Sequence, residues 1–263
     1  MSSNLYSKIN NLLRTIFNSH ILRITYKKIE ENLTPGLGYI DIEAVAKRYE
    51  KSDNKITASD IISTPAIRDS LYFIEKGCGD YTKDFKKVKN VLDIGCGSGI
   101  YSRIFRKRQL FSKNFKYVGT EIIQRFVDIC KKKNPKENFV VSYADALNFK
   151  NNTFDLVYCS STLHYTLDQW KKSLDEISRI ASKYVIIVRF PLTKYYETFY
   201  THQTVLGINN IENHNFIVIN RDKFEKYLKK IGFTILRRDY SSEEYIIQGV
   251  DERIILCQYL LQK

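Results

Sequence analysis

The chain has 263 residues, with 42 Lys and Arg against 29 Asp and Glu, a formal net charge of +13 and 43% hydrophobic residues. With 11 Gly and 4 Pro it can bury a sizeable core, which excludes a disordered, collagen-like or low-complexity chain. Apolar runs fall short of the roughly 18 residues of a membrane helix, and the opening Met1-Ser-Ser-Asn lacks the apolar stretch of a secretory signal, so a soluble cytoplasmic protein with no membrane partner is expected.

In chain order, residues 1–89 are expected to form a helical cap or lid: Leu12, Ile16 and Phe17 share a helical face, and Pro65 follows Thr64 at a first helical turn. From Val91 onward short β-rich runs alternate with helical patterns, the signature of a parallel sheet with crossover helices. Expected strands are Asn90–Ile94, Phe115–Glu121, Asn138–Asp145, Phe154–Ser160 and Tyr184–Arg189. Helices carry Ile122, Phe126, Ile129 and Cys130, and then Trp170, Leu174, Ile177 and Ala181, at helical spacing. Residues 191–220 read as an irregular, aromatic-rich second lid. Strands from Gly232 and from Glu252, joined by the polar Ser241-Ser-Glu-Glu stretch, close the sheet as an antiparallel pair.

The five cysteines (Cys78, Cys96, Cys130, Cys159, Cys257) are scattered and form no C-x-x-C pair, and the four histidines lack ligand spacing. Neither a disulfide framework nor a metal site is expected. The charge excess is +4 over 1–89, +8 over 90–190 and +1 over 191–263. Its two knots, Arg103/Arg106/Lys107/Arg108 and Lys131/Lys132/Lys133, fall near helix C-terminal ends, where cations complement the macrodipole, so solvated helix ends are favoured over a nucleic-acid surface.

The informative segment is Val91-Leu-Asp-Ile-Gly-Cys-Gly-Ser-Gly-Ile-Tyr, with three glycines at a strand-to-helix turn where backbone can approach a ligand closely. Its spacing is G-x-G-x-G. Ile100 stands where a dinucleotide fingerprint needs its third glycine, which disfavours NAD. Asp93 sets a carboxylate beside the loop, suited to a cationic ligand.

These residues resemble the first motif of the class I S-adenosylmethionine (SAM)-dependent methyltransferases, and the resemblance covers residues 90–263 but not 1–89. It implies an α/β fold: a Rossmann-like seven-stranded sheet, mostly parallel with a terminal antiparallel strand. It implies SAM as cofactor, held by Asp93, Gly95, Gly97, Ser98 and Gly99. Glu121, 22 residues after Gly99, would take the ribose hydroxyls, with Ile122 beside it. Asp145 in Tyr143-Ala-Asp-Ala would meet the adenine amino group with the Ala146 backbone, and Phe154–Ser161 matches the fourth motif, adding Ser160.

Acceptor chemistry is expected after the fourth and fifth parallel strands, at Ser161, His164, Tyr165 and Arg189, with Tyr195, Tyr196, Tyr200, His202 and Arg68 as further candidates. His164 is the candidate base; for an oxygen already anionic, such as a phosphate or phosphoramidate oxygen, no base is needed and His164 would bind instead. The Arg189 guanidinium suits an anion. Ser160-Ser-Thr-Leu-His-Tyr is also similar to methyltransferases of bacterial surface-polysaccharide synthesis, which implies O-methylation of a sugar or a phosphorylated small precursor of a capsule.

Two rival readings stand beside this. An RNA-modifying methyltransferase would fit the charge, but the fourth motif lacks an Asn/Asp-Pro-Pro-aromatic run, the basic knots lie away from the ligand edge, and no appended RNA-binding module is visible. A SAM-binding protein without catalysis is the other. Whether residues 1–89 close over the site or mediate a homodimer stays open.

Overall fold

The computed structural model describes residues 65–206, 211–247 and 249–263, together with the backbone of Ile21–Ile24. Leu12, Ile16, Phe17 and most of the expected cap lie outside the described residues. Within them, α1 (Pro65–Tyr72) begins at the proline and runs into a π-turn (Phe73–Gly77), followed by α2 (Tyr81–Phe85).

Then strands and helices alternate: β2 (Asn90–Ile94), α3 (Ile100–Lys107), β3 (Lys116–Glu121), α4 (Gln124–Lys133), β4 (Asn138–Val141), β5 (Phe154–Ser160), a 3₁₀ segment (Leu163–Gln169), α5 (Trp170–Ile180) and β6 (Ala181–Thr193). After β7 (Phe199–Leu206) and β8 (Ile211–Asn220) come α6 (Arg221–Lys230), β9 (Thr234–Ile247) and β10 (Ile254–Gln262). With Ile21–Ile24 as β1, the strand order is β1-β9-β10-β6-β5-β2-β3-β4. Strands β2 to β6 pair in parallel, and β10 is antiparallel to both neighbours. This is the mostly parallel Rossmann-like sheet expected.

The parallel strands are apolar runs because both faces are covered. Val91, Leu92, Leu156, Val157, Val185 and Ile186 are wholly buried. On one face Phe73, Phe85, Phe105 and Val127 of the earlier helices pack over Tyr158, Tyr184 and Ile186. On the other, Trp170, Leu174, Ile177, Phe224 and Leu228 of α5 and α6 cover Val157, Val185 and Ile187. Chain reversals place the strands' carboxyl ends, with the glycine turn after β2, on one edge of the sheet. The sheet order switches direction between β2 and β5, where a doubly wound fold opens its ligand crevice.

Three expectations change. The described residues of the 191–220 stretch form strands rather than an irregular lid: β6 continues to Thr193, and β7 and β8 pair in antiparallel, with β8 pairing in parallel to Leu192 and Thr193. Phe216, Ile217, Val218 and Ile219 are buried on both sides, which fixes the strand. The Ser241-Ser-Glu-Glu stretch lies inside β9: the Ser241 and Ser242 hydroxyls and the Ser242 amide all donate to Asp69 of α1, and the strand resumes its pairing at Glu244 and Tyr245. The third parallel strand is shorter than expected and ends at Val141, with Tyr143–Ala146 forming a tight turn.

Candidate active site

The glycine turn is built by backbone geometry that only glycine adopts readily. Gly95, Gly97 and Gly99 have φ of 67°, 52° and 70°. A Cβ on Gly95 would sit 2.3 Å from Thr162 Oγ1, and one on Gly99 would press on Cys130 Sγ and the Phe139 ring, whereas one on Gly97 would meet nothing within 4 Å among the described residues. Two glycines therefore serve packing, and Gly97, on the open side, is the place where a ligand can approach the chain.

Carboxylates surround this turn. Glu121 is 8% exposed, and its Oε2 accepts from the Gly97 amide at 3.0 Å while Oε1 accepts from the Ile122 and Ile123 amides at 2.8 and 3.3 Å. Burial raises its pKa from the ordinary carboxylate value, against those three amides. Asp93 is 1% exposed, and burial pushes its pKa up to about 7, with the nearby Glu121 charge adding to the rise and the Tyr117 hydroxyl, donating at 2.6 Å, opposing it. A cation arriving at the loop meets two buried carboxyl groups, both held above the ordinary carboxylate pKa by burial, whose charged forms it would favour.

Hydrogen bonds join Asp93 to Tyr117, and Glu121 to Gly97 and Ile122; Ser98 lies in the same turn. The Glu121 carbonyl accepts from the Ser142 amide, which leads into the turn holding Asp145 and Ala146, both open to solvent to some degree. Ser160 ends β5, its Oγ 3.3 Å from the hydroxyl of Tyr101, a residue in the first turn of α3. Residues absent from the sequence expectation are Tyr117, Tyr101 and Thr162. Tyr117 could have been found from its register, since it and Asp93 lie two residues apart in paired strands and so share a face.

The acceptor candidates divide. Ser161, just after β5, and Arg189, within β6, both have left-handed backbones, φ 52° and 58°, and Arg189 Nε donates to Ser161 Oγ at 2.8 Å. Such strain in two non-glycine residues costs about 1–3 kcal/mol each and persists only where surroundings enforce it. Arg189 is the extra residue of a bulge, since Phe190 and Ile187 of β6 face Cys257 and Tyr259 of β10. Its Nη1 lies 2.5 Å from Glu243 Oε2, an ion pair poorly aligned as a hydrogen bond.

His164 is 1% exposed, with its ring 4.1 Å from that of Tyr165 and 5.6 Å from that of Phe216, and its Nδ1 has no partner among the described residues. Burial, helped by the Arg189 charge, lowers its pKa to about 3, so the imidazole is neutral at working pH and a weak base. The geometry fits a packing and orienting ring rather than the expected base.

Tyr195, Tyr196, Tyr200, His202 and Arg68 do not join this cluster through any described contact. Tyr195 is 73% exposed and lines a cleft of about 490 Å³ with Lys194, Arg221 and Cys257, whose lining omits Arg189. The Tyr196 hydroxyl accepts from the Asp251 amide, and Tyr200 donates to Asp168. His202 sits in β7 opposite Asn215, and the Arg68 side chain is largely in solvent beside Asp69. Among the described residues no group of three or more His, Cys, Asp or Glu could hold a metal, and no helix is long and apolar enough to cross a membrane.

Comparison with known proteins shows what this arrangement is similar to. A family model described as a methyltransferase domain matches residues 92–188. Over 89 residues the chain is 32% identical to malonyl-[acyl-carrier protein] O-methyltransferase 1 of Ilyobacter polytropus, covering 33% of this chain and 32% of that protein. The chain spans less than half the length of the curated relatives it matches. Among solved structures, a SAM-dependent methyltransferase from Clostridium acetobutylicum superimposes with a TM-score of 0.57 at 17% identity, over 81% of this chain and 98% of that one. Magnesium protoporphyrin IX methyltransferase from Synechocystis, with bound SAM, gives 0.52 at 14%, over 86% and 98%. At these identities the likeness is one of fold.

Proposed function

We propose that the chain is a class I SAM-dependent methyltransferase, a reading supported by the match of residues 92–188 to a methyltransferase-domain model, and that it transfers a methyl group from SAM to an oxygen of a small, anionic acceptor. The observation that supports the donor half most is the glycine turn flanked by buried Asp93 and Glu121, with Gly97 open to approach. SAM supplies an activated methyl on a sulfonium centre. Around it this chain's residues have separable tasks: Glu121 is suited to vicinal hydroxyls because its carboxyl presents two acceptor oxygens, Asp93 favours positive charge, and Asp145 with the Ala146 backbone suits an adenine edge. Ser98 and Ile122 contribute backbone beside these groups, and Ser160 bounds the acceptor side.

For the acceptor half, Ser161, Tyr165 and Arg189 are the proposed binding groups. Glu243 now neutralises Arg189, so an anionic acceptor would take the place of that carboxylate on the guanidinium. A buried, neutral His164 supports an acceptor oxygen that is already ionised and needs no base, leaving proximity and alignment as the source of rate. A sugar or phosphorylated precursor meets this description; the capsule setting rests on the Ser160–Tyr165 tract alone. An RNA acceptor is the second reading, favoured only by the net charge.

The test is to incubate protein and SAM with nucleotide-activated sugars, phosphorylated small acids and total RNA and to measure S-adenosylhomocysteine. Turnover on a phosphorylated or sugar acceptor, raised in KM by Arg189→Gln, supports the proposal. Turnover on RNA alone would overturn the acceptor half, and tight SAM binding with no turnover would favour a non-catalytic SAM protein.

A further inference from the structure

Charges that are dispersed in sequence converge on the edge of the sheet opposite the glycine turn. At that amino edge stand the starts of β2, β3, β4, β5 and β6, the end of β10, and the C-terminal ends of α3, α4 and α5. The segments are stitched together there. The Lys116 amide donates to the Lys89 carbonyl, Asp155 accepts from the amides of Lys89 and Asn90, and Lys263 Nζ reaches Asn152 and Ala181. Across residues 84–89, 105–117, 128–138, 149–155, 179–183 and 263 there are sixteen Lys and Arg against four Asp and Glu, and two further carboxylates, Glu75 and Glu176, reach Arg108 and Arg179 from neighbouring segments. Three helix C-termini subtract roughly half a charge each, which leaves the edge strongly positive.

The kind of cation matters. Three of the sixteen are arginines, and all three guanidiniums face carboxylates of this chain: Arg106 with Glu137, Arg108 with Glu75, Arg179 with Glu176. The thirteen lysines are all exposed, although Lys87 pairs with Asp84, and Lys86 and Lys263 donate to carbonyls of Gln109 and Ala181. The large exposed apolar side chains among the described residues, Tyr72, Val141, Tyr143, Tyr195, Tyr240 and Ile255, lie outside these segments, so the described segments offer a base no fully exposed ring on which to stack. Planar forks that grip single phosphates are engaged within the protein, and point charges are presented in a layer where strands and helices end together.

From this juxtaposition we propose that the amino edge is a peripheral docking surface for an anionic lipid bilayer. Each lysine near such a surface adds to the attraction, which falls off within a Debye length of about 8 Å. Strands of five to seven residues rise about 3.3 Å per residue, so the glycine turn stands roughly 20 Å from the docked edge, open to a soluble acceptor. The contact is on the surface and needs no spanning segment; the expectation of no membrane partner rested on apolar runs, which do not register charges brought together by folding. It is independent of which acceptor is methylated.

The test is flotation of the full chain with vesicles of phosphatidylcholine, or of phosphatidylcholine with about 30% phosphatidylglycerol, at 50 and 500 mM NaCl (values chosen to span strong and weak screening). Expected is at least about tenfold enrichment on the anionic vesicles at low salt, lost at high salt and lost in a Lys131→Glu/Lys132→Glu variant and in a Lys113→Glu/Lys116→Glu variant, with SAM binding unchanged in both. Equal partition into neutral and anionic vesicles, or retention by both variants, would overturn it. So would duplex RNA or poly(U) that strips the protein from anionic vesicles at equal phosphate concentration, which would assign the face to nucleic acid.

Discussion

Asp93 carries a pH dependence whose sign follows from its surroundings. With a pKa near 7 in the folded protein against 3.8 ordinarily, it holds a proton between those values that the unfolded chain has released. Its contribution to stability is therefore full below about pH 4 and is lost as pH rises through 7. Asp93→Asn should gain stability relative to the parent between pH 5 and pH 8 in urea unfolding. A cation beside the ionised form reverses the preference, so SAM affinity should rise from pH 6 to pH 8 with release of a proton, detectable by calorimetry in buffers of different ionisation enthalpy. Tyr117, Glu121 and Cys96 face the same carboxylate, and the Asn variant separates Asp93 from them. The glycines divide similarly. Gly95→Ala meets both a left-handed φ and Thr162 and should cost roughly 2–4 kcal/mol in thermal unfolding, whereas Gly97→Ala, with free space around it, should fold at the smaller cost of backbone strain and lose SAM affinity.

At the scale of elements, α1 is tied to β9 through one side chain. Asp69 accepts three hydrogen bonds from Ser241 and Ser242, and Asp69→Ala should cost about 1–3 kcal/mol and speed amide exchange across 65–77 more than across β5. The same contact explains why the polar Ser241-Ser-Glu-Glu stretch reads as a loop in sequence yet is strand: its polar groups find a distant partner. The strand-turn-helix around the glycines was legible because every signal is local, an apolar run, three glycines and a following helix with period 3.6. The β7–β8 hairpin was not. Phe216-Ile-Val-Ile has no alternation, being covered on both faces, and its partners come from 165, 245 and 254–256. His164 and Arg189 were found as residues in the right neighbourhood, but their roles turn on Glu243 and Phe216, which lie far along the chain.

The whole molecule separates two edges of one sheet. Strand order and the switch between β2 and β5 set the ligand crevice at the carboxyl edge, as the motif implied, and send the helix C-termini with their lysines to the other. The sequence knots at Arg106–Arg108 and Lys131–Lys133 therefore point away from the crevice, as expected, but join a larger basic face that no single segment reveals. Charge reversals there should leave SAM binding intact, while Glu121→Ala should weaken it at least tenfold, since it removes both oxygens that face Gly97 and Ile122. The measurement that tests the central claim most directly is isothermal titration of the purified chain with SAM and, separately, with NAD. Saturable one-site binding of SAM that Glu121→Ala weakens, with no heat from NAD, is predicted; absence of SAM binding by a folded protein, or equal binding of NAD, would contradict the account.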